Sequence, residues 1–232
     1  MTLSRLYAIV DAGVLNARGV ELRAFAMQLR AAGVGLVQLR DKVGSPQRVL
    51  AGAGVLREVF AGTDCRLVMN DRADLALLAG FDGVHVGQGD LSPEDAKAVA
   101  AGRRGEEVSH TWKEREGRAT QTVQGVDFWV GVSTHHEEQV RVTDVSCADY
   151  VAVGPVFATG TKVDAEPVIG LEGVRRARAL TGKPIVAIGG ITRANARSVI
   201  EAGADSVAVI SGLLVEGESV EKVARDFLEI LG

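Results

Sequence analysis

Two aspartates in the sequence follow short apolar runs, and their carboxylates are suited to binding a divalent cation. Asp71 comes directly after the run Leu67-Val68-Met69-Asn70, and Asp90 comes shortly after Gly83-Val84-His85-Val86. Mg2+ in proteins favours one or two carboxylates, with waters and phosphate oxygens completing its coordination. The pair therefore predicts a magnesium site, provided that the two runs are neighbouring strands. Either aspartate could instead cap the helix that follows it. This alternative is open for Asp90 in particular, because a helix is predicted to begin just after it, at Ser92.

Three basic residues follow other apolar runs. Arg40 and Lys42 come at the end of Leu36-Val37-Gln38-Leu39, and Lys162 comes shortly after the run that ends at Gly154. Guanidinium and ammonium groups beside a metal suit a pyrophosphate better than a neutral ligand. Each of the three could individually be a surface charge, but two cations directly after a buried strand favour a binding role.

Small residues follow the last two apolar runs and predict a place for a second phosphate. Gly189-Gly190 precedes Thr192, which is predicted to cap the next helix, and Ser211-Gly212 ends the final run. Loops of this kind bind phosphate through main-chain N–H groups, although a Gly-Gly pair alone could form an ordinary turn. Two phosphate places, one with a metal, imply two substrates, of which one carries a pyrophosphate leaving group. No nucleophilic cysteine or Ser-His-Asp set stands out, and a Schiff-base role for Lys162 stays open.

These residues can converge only if the apolar runs are parallel strands of one sheet. Four runs follow an Ala-Gly or Cys-Ala pair and are apolar on both faces, which is typical of parallel sheets. They begin at Leu36, Gly83, Tyr150 and Ser206, and further strands fit Leu6–Val10, Leu67–Met69, Phe128–Gly131 and Pro184–Ile188. Helices are predicted near Val20–Ala31, Arg48–Phe60, from Ser92 onward, His136–Val145, Leu171–Leu180, Asn195–Ala202 and Ser219–Leu231. Eight strand–helix units without a linker predict an α/β fold, a single-domain (β/α)8 TIM barrel over residues 1–232, with an open doubly wound sheet as the alternative.

Residues 102–124 interrupt this pattern with a polar segment of mixed charge between the fourth helix and the fifth strand. We interpret it as a solvated insertion, with an active-site lid as the alternative. The net charge of -4 and a pI near 5.6 argue against wholesale binding of nucleic acid or an anionic membrane. Cys65 and Cys147 lack metal-ligand spacing and are typical of a reducing cytosol. We expect a cytoplasmic enzyme of small molecules, without a membrane span, for which a homo-oligomer is compatible with the sequence.

The combination of motifs resembles that of the thiamine-phosphate synthase family, which also contains the thiazole tautomerases. The matching segments run in order from Tyr7 to Ser211: YAIVD, VQLRDK, VMNDRADLALLAGFDGVHVGQGDLSP, GVSTH, DYVAVGPVFATGTK, VAIGGI and VAVIS. The resemblance implies a (β/α)8 barrel that joins hydroxymethylpyrimidine pyrophosphate to thiazole phosphate, with Mg2+ as cofactor. The products would be thiamine phosphate and pyrophosphate. The implied mechanism is dissociative, because pyrophosphate leaves first and the thiazole nitrogen traps the remaining cation.

The resemblance also implies roles for individual residues. The pyrimidine pyrophosphate would be held by Gln38, Leu39, Arg40, Asp41, Lys42, Asn70, Ser133 and Lys162. Of these, Arg40, Lys42, Ser133 and Lys162 would be catalytic. Asp71 and Asp90 would hold magnesium. The thiazole phosphate would be held by the segment Thr159, Gly160 and Thr161 together with Gly190, Ile210 and Ser211.

Two other functions compete with this one. A thiazole tautomerase would use His135 as a proton shuttle but would have no use for the pyrophosphate set, and a sensor would bind a phosphate ligand without catalysis. His85, flanked by Val84 and Val86, is expected to pack in the barrel or beneath a helix and not to act as a ligand.

Overall fold

Eight parallel strands form a closed barrel in the computed structural model, which describes residues 3–106, 128–160 and 167–232. The strands follow the chain order: β1 Leu6–Asp11, β2 Leu36–Arg40, β3 Arg66–Asn70, β4 Gly83–Val86, β5 Trp129–Thr134, β6 Tyr150–Val153, β7 Ile185–Ile188 and β8 Ser206–Val209. Ala8 of β1 aligns with Val37 of β2 on one side and with Val209 of β8 on the other, which closes the sheet. The predicted (β/α)8 barrel is confirmed, and an open sheet is excluded.

In the described residues, at least one helix follows each strand along the chain. The helices are α1 Ala12–Ala17, α2 Leu22–Ala32, α3 Pro46–Val59, α4 Ala73–Ala79, α5 Pro93–Glu106, α6 Glu137–Val145, α7 Gly170–Leu180, α8 Ala196–Glu201 and α9 Val220–Leu231, with a short 3-10 turn at Ser211–Leu213. The predicted helices agree with these within a few residues at each end. Among the helices of the described ranges, none combines the length and the apolar character that crossing a bilayer requires.

Ser92 caps the start of α5, where the sequence predicts that a helix begins. Ser92 Oγ accepts a hydrogen bond from the Asp95 main-chain N–H at 3.0 Å, which satisfies one of the donors that the first helical turn leaves unpaired. The helix continues to Glu106, so residues 102–106 of the predicted insertion are helical. The remainder of that segment, 107–124, lies outside the described residues.

The two faces of each strand have different partners. Outward-facing side chains such as Val10, Val37 and Met69 pack beneath the helices. Inward-facing side chains form a second cluster on the barrel axis: Leu3, Tyr7, Ile9, Leu36, Val68, Trp129, Tyr150, Ala152, Val186 and Ala208. Because side chains alternate along a strand, a residue two positions beyond an inner one faces inward again. This parity directs the side chains at the carboxyl ends of the strands into one mouth.

Candidate functional site

The two predicted metal ligands converge at the carboxyl ends of neighbouring strands. Asp71 follows β3 and Asp90 follows β4, and these strands pair at Asn70 and His85. Burial, and then the nearby Asp71 carboxylate, raise the pKa of Asp90, while the Gly87 N–H and Lys42 oppose that rise. Two carboxylates close enough to repel each other form a site that a cation would stabilise.

The helix-cap alternative for these aspartates has no support in their contacts. Asp90 Oδ2 accepts a hydrogen bond from the Gly87 N–H at 2.7 Å, within its own loop, and α5 is capped by Ser92. Asp71 forms an ion pair with Lys42, and no side-chain cap is made by Arg72, the residue at the start of α4. The φ of Asp71, 61°, is in the left-handed region, where aspartate is one of the few tolerated residues other than glycine.

The cations of the second strand lie at the same rim, each beside an aspartate. Arg40 faces inward at the end of β2 and pairs with Asp11, which is aligned with it at the end of β1. Asp11 is buried and also caps α1 by accepting a hydrogen bond from the Val14 N–H at 2.9 Å. Lys42 reaches across to Asp71 in the next loop. Thr161 and Lys162 lie outside the described residues.

Two residues of the predicted pyrophosphate motif direct their side chains elsewhere. Leu39 lies on the outer face of β2 and packs against Gly52 of α3. Asp41 accepts a hydrogen bond from the Gly44 N–H at 2.8 Å, and its Oδ2 lies 3.1 Å from Arg48 Nε. The Leu39 side chain therefore belongs to the core, and the Asp41 side chain holds the loop between β2 and α3. Binding of the pyrimidine substrate by these two residues stays a prediction.

A cavity of about 400 Å³ opens on the other half of the rim. Its walls come mainly from the ends of β5 to β8 and the loops that follow them: Ser133, His135, Gly154, Thr159, Gly189, Gly190, Ile191, Thr192, Ile210, Ser211 and Gly212. The volume is in the range that accommodates a small organic ligand. The predicted thiazole-phosphate residues Thr159, Gly190, Ile210 and Ser211 thus share one cavity.

The glycines of this wall are required by close packing of neighbouring loops. Gly190 has a φ of 63°, and a Cβ there would lie 2.5 Å from the Ala158 carbonyl oxygen. A Cβ on Gly212 would lie 2.7 Å from the Ile191 carbonyl oxygen. Main chain therefore forms this part of the cavity wall, where N–H groups can approach an anion.

The predicted cap at Thr192 is wrong, because α8 starts at Ala196 with Asn195 as its N-cap residue. Asn195 Oδ1 accepts a hydrogen bond from the Thr192 N–H at 2.8 Å, and its Nδ2 donates to the Gly190 carbonyl at 3.1 Å. Asn195 therefore holds the conformation of the loop that contains Gly190 and Thr192.

Sequence reasoning missed Arg18, whose side chain also lines the cavity. Because β1 pairs with β8, the segment after β1 lies beside the loop that contains Ser211. Arg18 is exposed at the end of α1, and within the described ranges its guanidinium makes no ion pair or hydrogen bond. The signal for it in the sequence is a cation several residues beyond the end of a strand.

Two histidines have fixed orientations near Ser133. His135 Nδ1 lies 2.8 Å from the Gly154 carbonyl oxygen and must donate to it, so Nε2 of the neutral ring is an acceptor at the cavity. His85 is buried inside the barrel, as expected, and its Nε2 lies 2.8 Å from Ser133 Oγ. The Ser133 carbonyl accepts a hydrogen bond from Gln88 Nε2 at 2.6 Å.

The donor set fits magnesium better than a metal held by protein ligands alone. Among the described residues, no three His, Cys, Asp or Glu side chains form a cluster that could hold a metal ion. Asp71 and Asp90 would offer carboxylate oxygens to such an ion, and Mg2+ commonly keeps waters or substrate phosphate oxygens at its other positions.

Comparison with known proteins gives a consistent result over the whole chain. The sequence model of a family described as thiamine monophosphate synthase matches residues 6–104 and 113–213. The thiamine-phosphate synthase of Koribacter versatilis is 46% identical, with the alignment covering 100% of this chain and 97% of the relative. That of Methanoregula boonei is 38% identical, over 97% of this chain and 91% of the relative.

A solved structure also matches the fold. The thiamine phosphate pyrophosphorylase from Pyrococcus furiosus superposes with a TM-score of 0.77 at 28% identity, covering 98% of this chain and 95% of that one. The stretch 105–112, which the family model leaves unmatched, lies within the predicted insertion.

Proposed function

The chain belongs to the thiamine monophosphate synthase family, and we infer from this membership and from the rim geometry how its residues divide the work of that reaction. The protein is a transferase with thiamine-phosphate synthase activity. Its reaction would join hydroxymethylpyrimidine pyrophosphate to thiazole phosphate and release pyrophosphate. The assignment of residues rests on one observation, that the acid and cation group of β2 to β4 shares a rim with the glycine-walled cavity of β5 to β8.

Asp71 and Asp90 would hold Mg2+, together with oxygens of the pyrophosphate. When bound, the ion supplies positive charge that stabilises the departing pyrophosphate. Lys42 and Arg40 keep further N–H donors beyond those used by their aspartate partners, and these can bind phosphate oxygens. Charge-assisted hydrogen bonds of this kind are the strong ones in phosphate recognition. We also place Lys162 in this group, by its position in the family motif.

The cavity would hold the thiazole phosphate. Gly190 and Ser211 bring main chain to its wall, and Arg18 adds a positive charge at the same opening. Ser133 lines the cavity from β5, which places it between the two halves of the rim. The thiazole nitrogen would therefore approach the pyrimidine carbon from the cavity side, while pyrophosphate leaves toward Asp71. The attack itself needs no general base, because the nitrogen lone pair forms the new bond.

The direct test supplies the purified protein with both substrates and Mg2+ and measures thiamine phosphate and pyrophosphate together. We expect equal amounts of the two products, and none when either substrate or magnesium is omitted. Substitution of Asp74 by Asn is a matched control, because this aspartate lies three positions beyond Asp71 and pairs with the exposed Arg72. Turnover without added divalent ion, after treatment with a chelator, would contradict the assignment of the two aspartates.

One observation keeps the tautomerase in consideration as a second activity. His135 Nε2 is an acceptor at the cavity, which is the state that a proton shuttle requires. Incubation with the thiazole phosphate alone, followed by separation of isomers, tests it. Isomerisation that His135→Gln abolishes would establish the second activity, whereas an unchanged substrate would exclude it. Binding of both substrates without any turnover would instead indicate a sensor.

A further inference from the structure

A continuous row of hydrogen bonds crosses the inside of the barrel and joins two of the proposed pyrimidine contacts. Gln38 Nε2 donates to the Tyr7 hydroxyl at 2.8 Å, and the Tyr7 and Tyr150 hydroxyls lie 3.2 Å apart. The Tyr150 hydroxyl lies 3.1 Å from His85 Nδ1, and His85 Nε2 lies 2.8 Å from Ser133 Oγ. We call these five residues the inner polar chain.

The inner polar chain has a direction, because each hydroxyl has a single proton. The Tyr7 hydroxyl accepts from Gln38, and its other bond within the described residues is to Tyr150. Its proton therefore goes to Tyr150, since it would otherwise be buried without an acceptor. Tyr150 in turn donates to Nδ1 of His85, whose neutral ring then carries its proton on Nε2 and donates to Ser133 Oγ.

This direction fixes what the two ends offer to a ligand. Ser133 Oγ receives a hydrogen bond from within the barrel, so its own proton is available to an acceptor in the cavity that it lines. Gln38 uses its Nε2 inward and has Oε1 as an acceptor. No fully buried side-chain oxygen of the described residues lacks a hydrogen-bond partner. The hydrogen bonds of the described residues give Oε1 of Gln38 no partner, so that oxygen is not fully buried and can accept from a ligand.

The surroundings hold the inner polar chain in one arrangement. The Tyr7 and Tyr150 rings meet edge to face with centroids 6.3 Å apart, and the His85 ring stacks on Tyr150 at 5.6 Å. Gly131 of β5 makes room for Tyr150, since a Cβ there would lie 1.9 Å from the Tyr150 Cζ. Burial raises the pKa of both tyrosines, so their hydroxyls stay protonated and remain donors.

We propose that the inner polar chain sets substrate specificity by fixing Gln38 Oε1 as an acceptor and the Ser133 hydroxyl as a donor. This pattern complements an aminopyrimidine, whose amino group donates and whose ring nitrogens accept. The inference rests on the proposed function, together with the role in holding the pyrimidine substrate that the family resemblance implies for Gln38 and Ser133. A pyrimidinone, with a carbonyl oxygen in place of the amino group, would face the Gln38 acceptor with another acceptor. To accommodate it, the Gln38 amide and every proton of the inner polar chain would have to reverse together.

The test compares kcat/KM for the aminopyrimidine pyrophosphate and for its 4-oxo analogue. We expect the wild type to prefer the amino compound strongly. Tyr150→Phe interrupts the inner polar chain, so each end can reverse alone, and the preference should fall at least about tenfold. The change should come mainly from a lowered KM for the 4-oxo compound, with little change in the KM for thiazole phosphate. Tyr7→Phe should act in the same direction, and it replaces Tyr150→Phe if that protein does not fold.

Thr181→Val is the matched control, because it also removes a buried hydroxyl that bonds a side chain, Asp144, outside the barrel interior. Its preference should equal that of the wild type. An unchanged preference in both tyrosine variants, with kcat lowered equally for both compounds, would overturn the proposal and leave the tyrosines a structural role. A wild type that does not discriminate would also overturn it. A wild type that forms no thiamine phosphate would refute the proposed function instead.

Discussion

Substitution of Asp71 is the sharpest probe of the proposed metal site, and its backbone angle decides which variant to make. With φ at 61°, alanine would add about 1 kcal/mol of backbone strain, whereas asparagine tolerates this region as aspartate does. Asp71→Asn also keeps the size of the side chain. The ion pair that it weakens joins Lys42 and Asp71 side chains that are 50% and 19% exposed. A pair of this exposure contributes about 0.5 kcal/mol, so the melting temperature should fall by only about 2 °C.

The effect on turnover should be far larger than the effect on stability. A metal ligand supports several kcal/mol of charge stabilisation, and loss of about 3 kcal/mol lowers kcat/KM roughly 150-fold. The assay measures thiamine phosphate formation across a range of Mg2+ concentrations, beside thermal unfolding of the same preparations. The half-saturating Mg2+ concentration should rise in Asp71→Asn and stay unchanged in Asp74→Asn. Wild-type turnover at low Mg2+ in the first variant would refute the metal role, and a melting temperature lowered by 10 °C or more would show a structural role instead.

Three other predictions concern the cavity and the loop that flanks it. Arg18→Ala should raise the KM for thiazole phosphate about fivefold and leave the KM for the pyrimidine substrate unchanged, with Arg175→Ala on the outer surface of α7 as the control. Steady-state kinetics with each substrate varied in turn measures both constants, and an equal rise in the two KM values would contradict the prediction. Gly190→Ala should lower the melting temperature and abolish thiazole-phosphate binding, because the Cβ of the alanine would lie 2.5 Å from the Ala158 carbonyl oxygen. Wild-type affinity of this variant, measured by calorimetry, would mean that the loop does not form the phosphate site. Arg193, and then Lys222, lower the pKa of Glu218 from 4.5 to about 2, so the contribution of Glu218 to the free energy of unfolding is complete above pH 4.5 and is lost as the pH falls toward 2. The melting temperature across that range should therefore decline more steeply with falling pH in the wild type than in Arg193→Gln. Parallel declines of the two melting temperatures would exclude the contribution.

Much of the fold was predictable because parallel barrel strands are apolar on both faces and are separated by helices of ordinary length. The helices α1 and α4, with six and seven residues, are too short for helical periodicity to define their bounds. At the rim, Arg40 and Asp71 could be placed from their positions after a strand. Their pairing with Asp11 and Lys42 follows from strand order, which the sequence only implied.

One physical reason explains why some side-chain orientations were not predicted and why some residues were missed: both depend on contacts that are not local in the sequence. A contiguous motif such as that from Gln38 to Lys42 contains side chains of both strand faces, and only the parity of the strand separates Gln38 and Arg40 from Leu39. Tyr7 and Tyr150 resemble core residues, and nothing local shows that hydroxyls 143 positions apart will meet. Magnesium binding, the residue roles and a cytoplasmic location stay predictions.

The pairing of β1 with β8 has a consequence for biosynthesis. Arg18 leaves the ribosome long before Ser211 and Gly212, which complete the same cavity. The proposed phosphate pocket therefore cannot form on a nascent chain before β8 and the turn after it have emerged, and a fragment that ends before β8 would lack it.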